Sequence, residues 1–141
     1  MAYAHSRNKE GRPHDLIAHL QSVAATAGEF GRALRAAEAA RFLGLWHDIG
    51  KFAPAFQQYL AACEAGTARR GHGPDHKAAG ALLASQHLSL AALLVQGHHG
   101  GLKTPTELQT WLRQHRDRAD VADALRLARS AIPEIEPGAR I

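Results

Sequence analysis

Apolar side chains recur every three to four residues along most of this chain, and no segment shows the apolar–polar alternation typical of a strand. Leu16, Leu20, Val23 and Ala27 illustrate the spacing, which places all four on one face of a helix. The composition agrees, because 29 alanines stand against only 8 valines and isoleucines. Alanine loses no side-chain entropy in a helix, whereas strands are enriched in β-branched residues. These patterns predict an all-α fold.

Glycines, prolines and capping residues divide the pattern into a bundle of about six or seven helices. We expect helices at 14–34 and 36–48, a short one through 56–60, one capped by Asp75, one from Ser89 to about His98, and two at 105–116 and 118–130. Residues 1–13 are expected to form an irregular lead-in, and the residues after Pro133 a frayed tail. Trp46 and Trp111 are expected in the core.

A chain of 141 residues has room for one domain, so we expect residues 1–141 to form a single domain without a second catalytic or motor domain. The one cysteine, Cys63, excludes an internal disulfide. The N-terminus lacks the apolar core of a signal peptide, and the longest apolar run, Leu88 to Val95, is far short of the ~20 residues that cross a bilayer. We therefore expect a cytoplasmic protein with no membrane partner. The net charge of +4 permits a polyanionic partner.

The segment GLWHDIGK at 44–51 places His47 and Asp48 side by side at the predicted end of a helix. An imidazole and a carboxylate in neighbouring directions are ligands for a divalent ion, and the carboxylate can also bridge to a second ion. An isolated pair of this kind is more often a helix-end histidine beside a capping aspartate. Here the pair is not isolated, because other histidines stand in comparable positions.

His19 borders the apolar face of the first helix, His76 precedes another helix, and His98 and His99 end an apolar segment before two glycines. We predict that these histidines converge with His47 and Asp48 on one metal site. The mixture of imidazole and carboxylate leaves the identity of the metal open. Asp75 is expected to cap a helix or to orient a histidine. Surface positions are expected for His14, His72, His87, His115, Arg69, Arg70 and the arginines at 113, 116 and 118.

The order and spacing of these segments resemble the HD-type nuclease domain of type I CRISPR-associated nuclease/helicase proteins, within the HD metal-dependent phosphohydrolase superfamily. The resemblance covers residues 3–102. It rests on YAHS at 3–6, the segment 16–20, GLWHDIGK at 44–51, FQQYL at 56–60, DHKAAG at 75–80 and GHHGGL at 97–102. The combination of HDxGK, DHxxxG and HHGG is specific, whereas the HD dipeptide alone is not. For His5 and Ser6, within YAHS, a site contribution and an irregular lead-in are equally good interpretations.

The resemblance implies a metal-dependent endonuclease that cleaves phosphodiester bonds of single-stranded DNA in CRISPR antiviral defence. It implies that His19, His47 and Asp48 bind a first ion, and that Asp48 bridges to a second ion held by His76, His98 and His99. Lys51 would stabilise charge on the phosphate, so Asp48 and Lys51 are the expected catalytic residues. One or two divalent ions are expected, with Mn, Ni, Co or Fe as the first choices and Mg or Zn as alternatives. The implied partners are single-stranded DNA, a helicase domain or protein, and the CRISPR surveillance complex.

The family pattern continues with a further metal-binding aspartate on a later helix. Asp117, Asp120 and Asp123 are the late aspartates here, and none has the surrounding family pattern. We therefore expect an HD domain shortened at its C-terminus. Two alternatives remain open: a degenerate HD module that binds metal or a partner without cleavage, and a small HD phosphohydrolase acting on nucleotides. The HHGG and FQQYL segments favour the nuclease.

Overall fold

The computed structural model describes residues 1–6, 11, 13–139 and 141, and most of this part of the chain is helical, which confirms the predicted all-α bundle. Its α-helices are α1 (Leu16–Gly31), α2 (Ala37–Trp46), α3 (Pro54–Glu64), α4 (Ala78–Leu88), α5 (Ala92–Gly97), α6 (Pro105–His115) and α7 (Ala119–Ala131). Short 3-10 helices occupy Arg32–Leu34, Ile49–Phe52, Ser89–Ala91 and Pro133–Ile135.

Helices α1 and α2 pack closely against each other along their length. A Cβ atom on Gly44 of α2 would lie 2.9 Å from the Cα atom of Ala24 in α1, so the backbones approach each other only because this residue is glycine. Helix α2 ends at Trp46, and the chain turns through His47 and Asp48 into the next 3-10 helix. The close packing therefore fixes the end of α2, where the HD pair lies, against the middle of α1.

Two further glycines allow the start of α4 and the residues just before it to lie against the turn that contains His47 and Asp48. A Cβ atom on Gly50 would overlap the backbone of His76, and one on Gly80 would overlap the carbonyl oxygen of Trp46. Neither position accepts a side chain without movement of the backbone. These two close approaches bring His76 beside the HD turn.

The centre of the core is the indole of Trp46, which is fully buried and donates a 2.7 Å hydrogen bond to the carbonyl oxygen of Ile135. Ile135 is itself buried, so the 3-10 helix Pro133–Ile135 packs on the core. The prediction of a frayed tail after Pro133 is therefore wrong for Ile135. Trp111 is only partly buried, with its ring stacked on His115 at 4.4 Å. The predicted core position is therefore correct for Trp46 and too deep for Trp111.

Two short paired strands, which we call the N-terminal hairpin, correct the irregular lead-in predicted for residues 1–13 where the structure describes it; residues 7–10 and 12 lie outside the described residues. Strand β1 (Tyr3–His5) pairs antiparallel with β2 (His14–Asp15), and α1 begins at Leu16 instead of residue 14. The amide side chain of Gln57 accepts a hydrogen bond from the Tyr3 N–H at 2.9 Å and donates one to the Tyr3 carbonyl at 3.0 Å. Because a ribbon this short is marginally stable alone, such tertiary bonds hold it in place.

Two residues that were predicted as helix caps, Asp75 and Ser89, do not cap a helix. Helix α4 follows Lys77, and Asp75 accepts the Lys77 N–H at 2.7 Å in the turn before the helix instead of capping it. Ser89 makes no capping bond; with a φ of 48° it ends α4 and begins the 3-10 helix Ser89–Ala91, which precedes α5. The helix predicted from Ser89 therefore has its α-helical part at Ala92–Gly97 only.

One helical stretch, Ala78–Gly97, is long and apolar enough to cross a membrane by length and composition. It is not one continuous α-helix, because the backbone breaks at Ser89. Leu83 and Ala84 of α4 are buried in the core of the bundle, and Val95 of α5 is buried beside them. These contacts make the stretch a core element of the folded domain.

Candidate metal centre

Asp48 is a buried carboxylate surrounded by imidazoles that come from separate parts of the chain. Its Oδ2 atom lies 3.2 Å from Nε2 of His47 and 3.5 Å from Nε2 of His19. Its Oδ1 atom lies 3.3 Å from Nε2 of His76 and 3.4 Å from Nε2 of His98. Each oxygen of the carboxylate therefore faces its own pair of histidines.

The donor atoms form two groups that share Asp48. We call them the first group (His19, His47 and Asp48) and the second group (Asp48, His76, His98 and His99). Within each group, one donor atom per residue lies within 4.8 Å of all the others. The structure thus brings together every side chain predicted as a metal ligand, and each group has the spacing of donors around a common centre.

Hydrogen bonds to the backbone fix the orientation of two of these rings. Nδ1 of His47 lies 2.6 Å from the carbonyl oxygen of Gly44, and Nδ1 of His98 lies 2.6 Å from the carbonyl oxygen of Val95. A carbonyl oxygen only accepts, so each Nδ1 carries the proton and donates it. In the neutral form of each ring, the lone pair is then on Nε2, the atom that faces Asp48. This arrangement is typical of histidines that bind metals.

Lys51 is buried beside Asp48 and balances its charge. The ammonium group lies 2.8 Å from Oδ2 of Asp48 and donates a 3.0 Å hydrogen bond to the carbonyl oxygen of Ala4. Burial by itself raises the pKa of the Asp48 carboxyl, but contacts with the imidazoles of His47, His76 and His98 outweigh it. The pKa of Asp48 is therefore held well below its usual range, and the group is an anionic ligand at neutral pH.

The donors fit divalent ions in number and in kind. Asp48 Oδ1 and His76 Nε2 are buried and have no hydrogen-bond partner in the described part of the chain, although only 3.3 Å separates them. Unsatisfied buried polar atoms are costly, and an ion between them would satisfy both. A set of imidazole nitrogens and one carboxylate suits first-row transition metals. The late metals of this row prefer nitrogen ligands, whereas Mn²⁺ also binds well to oxygen ligands.

Burial also favours the metal-binding form of the imidazoles. Burial lowers the pKa of His19, and the adjacent ring of His47 lowers it further. Burial likewise lowers the pKa of His99, with a further contribution from His98. Because neutral imidazole is the form that binds metal, these residues remain competent ligands at neutral pH.

The late aspartates lie apart from both groups. Asp120 forms a 2.7 Å ion pair with Arg118, and Asp123 forms a 3.2 Å ion pair with Arg126. Asp117 is exposed and lies 3.6 Å from the guanidinium of Arg116. Among the described residues, Asp48 is accordingly the only carboxylate in either donor group. The arginines at 116 and 118 are used in these exposed pairs, in agreement with the predicted solvated surface.

Two histidines predicted on the surface are half-buried instead. His87 stacks on the indole of Trp46 with ring centroids 5.7 Å apart, and His115 stacks on Trp111. His72 and His14 are exposed as predicted. No sequence pattern indicated the His87 contact, because it depends on the packing of α4 against α2, whereas Trp111 and His115 lie four residues apart on one face of α6.

A cavity of about 640 Å³ opens beside the second group. Lys51, His76 and His99 line the end nearest to Asp48, while Phe56 and Tyr59 contribute aromatic surface. Three further lining residues are His5, Cys63 and Arg70. The Tyr59 hydroxyl donates a 3.1 Å hydrogen bond to the Arg69 carbonyl, which ties the loop after α3 to the cavity wall. Arg70 is exposed, as predicted, and it also lies at the edge of this cavity.

One family model matches the chain over nearly its whole length. The match covers residues 3–137, and the family is described as Cas3, HD domain. No curated protein matches the chain. The family match extends beyond residues 3–102, where the sequence motifs lie, and includes α6 and α7.

Proposed function

Because the chain belongs to the Cas3 HD-domain family, we propose that it is a metal-dependent endonuclease that hydrolyses phosphodiester bonds of single-stranded DNA in CRISPR antiviral defence. One observation carries the proposal above all others. A single buried carboxylate, Asp48, is shared by two groups of histidine side chains beside an open cavity. Two adjacent divalent ions are the usual means of assisting phosphodiester hydrolysis.

In the proposed site, His19, His47 and Asp48 would hold a first ion. Asp48 would also hold a second ion, together with His76, His98 and His99. When bound, such ions supply Lewis acidity toward a water molecule and toward the oxygens of the phosphate. Mn, Ni, Co or Fe fits the donor set best, with Mg or Zn as alternatives.

The chain's own residues position these ligands. Lys51 holds the Asp48 carboxylate by its Oδ2 atom and neutralises part of its charge, so Oδ1 is left to the second group. The same ammonium lines the cavity and adds positive charge where a phosphate would lie. We therefore propose that Lys51 positions Asp48 and also stabilises charge on the substrate.

The cavity beside the site fits one flexible nucleotide of a single strand. Tyr59 is partly exposed and offers aromatic surface in front of the buried Phe56, and stacking of a base on such a ring is worth about 1–3 kcal/mol. Arg70 at the cavity edge supplies charge for the backbone. A base inside a duplex is not available for such stacking, so single-stranded DNA is the substrate form that we propose. A helicase domain or protein and the CRISPR surveillance complex, acting in the cytoplasm, would deliver that strand.

The proposal is tested by incubating circular single-stranded DNA with the chain and Mn²⁺ or Ni²⁺. The wild-type chain is expected to nick the circle, and Asp48→Asn is expected to lose at least about 100-fold in rate, because metal affinity and positioning both depend on this carboxylate. Asp117→Asn, at an exposed carboxylate outside both donor groups, is the matched control and should retain the wild-type rate.

A second candidate is a degenerate HD module that binds metal or a partner without cleavage. It is favoured by the first group, which has three protein donors and lacks a second carboxylate in the described part of the chain. Full metal occupancy without nicking would establish this alternative. Release of phosphate from free nucleotides, with circular DNA left intact, would instead establish a small nucleotide phosphohydrolase.

A further inference from the structure

Three imidazoles meet at the N-terminal hairpin, outside the two groups around Asp48. His5 of β1 and His14 of β2 are cross-strand partners in the ladder, and their rings are stacked with centroids 5.8 Å apart. Directly opposed residues of an antiparallel pair place their side chains on one face at close range. The hairpin thus presents two adjacent imidazoles to solvent.

The start of α1 brings in the third imidazole. Asp15 is the N-cap of this helix, and its side chain accepts the Ala18 N–H at 2.8 Å. His14 therefore stands just before the cap and His19 four positions after it, the two positions whose side chains commonly pack together at a helix start. The rings of His14 and His19 are 5.2 Å apart, and those of His5 and His19 are 5.6 Å apart.

The backbone that carries these residues is held firmly. The Leu16 N–H donates a 2.9 Å hydrogen bond to the Ala2 carbonyl, and the Lys51 ammonium donates to the Ala4 carbonyl. Gln57 bonds both backbone groups of Tyr3. An ion binding here would not have to order a loose segment, so little conformational entropy is lost on binding.

We propose that His5, His14 and His19 form a third metal-binding site, made only of imidazoles, that takes a late first-row divalent ion such as Zn²⁺, Ni²⁺ or Cu²⁺. One donor nitrogen from each residue lies within 4.8 Å of the other two. No carboxylate belongs to this triad, whereas Asp48 belongs to both other groups. All-nitrogen donors disfavour Mg²⁺ and Mn²⁺, which prefer oxygen. The triad therefore excludes Mg²⁺ and Mn²⁺ more strongly than a site built around Asp48 does.

The triad and the first group compete for His19. A neutral imidazole has one lone pair, so His19 binds one ion at a time. His19 Nε2 is 3.3 Å from His47 Nε2 and 3.5 Å from Asp48 Oδ2, which places it within reach of the first group as well. Zinc at the triad is thus expected to draw His19 away from the first group.

The test uses zinc as the probe in an Asp48→Asn background, in which both other groups have lost their shared anionic ligand. A zinc titration against a chromophoric chelator is expected to show one equivalent held at the triad, in addition to any zinc held by the three imidazoles that remain in the second group. Adding His5→Gln and His14→Gln should remove that equivalent, whereas adding His72→Gln, at an exposed histidine outside the three groups, should leave it. Equal zinc binding by both sets of variants would overturn the proposal.

A second measurement covers the case in which the Asp48→Asn chain does not fold. In the wild-type chain, zinc should shift the ring ¹⁵N resonances of His5 and His14 in long-range ¹H–¹⁵N spectra, and Mg²⁺ should not. Unshifted His5 and His14 resonances under saturating zinc would contradict the triad. Neither readout depends on cleavage of DNA, so failure of the nuclease proposal and failure of this one are distinguishable.

Discussion

At the scale of single residues, Asp48 links the two donor groups because each of its carboxylate oxygens faces a different pair of histidines. The motifs predicted which side chains would meet, since four separate segments each paired a histidine with apolar helical sequence. They did not reveal that the Lys51 ammonium pairs with Asp48 and also donates a hydrogen bond to the Ala4 carbonyl. The bond to Ala4 depends on the hairpin, which lies far from Lys51 in sequence.

His5 and His14 show where residue-level prediction stopped. Their proximity arises from a cross-strand pair in strands of three and two residues, too short for any periodic signal. A clue was nevertheless present, because His14 and His19 flank the Asp15 cap at the spacing of residues that pack at a helix start. Recognition of Asp15 as the cap, instead of a start at residue 14, would have placed these two rings together.

Substitution of Lys51 by methionine tests the buried charge pair. Lys51→Met removes the cation from a buried carboxylate, and loss of one partner of such a pair costs about 3–5 kcal/mol. We expect the metal-free variant to show a loss of this order in urea unfolding, and the metal-loaded variant a smaller one, because bound ions also neutralise Asp48. Lys103→Met, at an exposed position, is the control. An unchanged free energy of unfolding for metal-free Lys51→Met would rule out the pair as a stabilising contact.

At the scale of elements, apolar spacing predicted the helices well because a helix with one buried face leaves a regular trace in the sequence. Two of the errors have different origins. Helix α4 has no side-chain cap, because Asp75 instead bonds the Lys77 N–H in the preceding turn, a local contact typical of aspartate. The segment after Pro133 is ordered because Ile135 is buried and its carbonyl accepts the Trp46 indole N–H. The second contact is tertiary and has no local sequence signature.

The close approach of α4 to the end of α2 gives a prediction for Gly80. In Gly80→Ala the new Cβ atom would overlap the carbonyl oxygen of Trp46, and overpacking of this kind typically costs about 1–3 kcal/mol. Thermal unfolding should therefore show a lower midpoint. Because His76 lies just before α4, a displacement of this helix should also move the His76 ligand and lower the metal affinity. Gly100→Ala is the matched control, since a Cβ atom there meets nothing within 4 Å. Equal midpoints for the two variants would show that α4 does not pack as described.

At the scale of the whole molecule, the fold assembles its site by bringing the start of α1, the end of α2, the segment before α4 and the end of α5 to one place. The sequence motifs predicted this convergence and the bundle that produces it. They did not predict the cavity beside the second group, because Phe56, Tyr59 and Arg70 surround it only after α3 and its following loop have packed.

The histidine-rich centre gives the metal-free protein a pH-dependent stability. Burial lowers the pKa of His5, His19 and His99 in the folded chain, whereas the unfolded chain retains the ordinary value of about 6.5. Below that value the unfolded state binds more protons, so the free energy of unfolding falls as the pH decreases. Urea unfolding at several values between pH 7 and 5 should show this decline. His19→Gln should flatten it, whereas His72→Gln should not, and a decline of equal slope in His19→Gln would contradict the account.

The most direct test of a metal-dependent nuclease centred on Asp48 is the initial rate of nicking of circular single-stranded DNA, with bound Mn²⁺ measured in the same sample. The account predicts that nicking by the wild-type chain rises with manganese occupancy, and that Asp48→Asn is slower by at least about 100-fold. Full manganese occupancy with no nicking above the Asp48→Asn rate would contradict it.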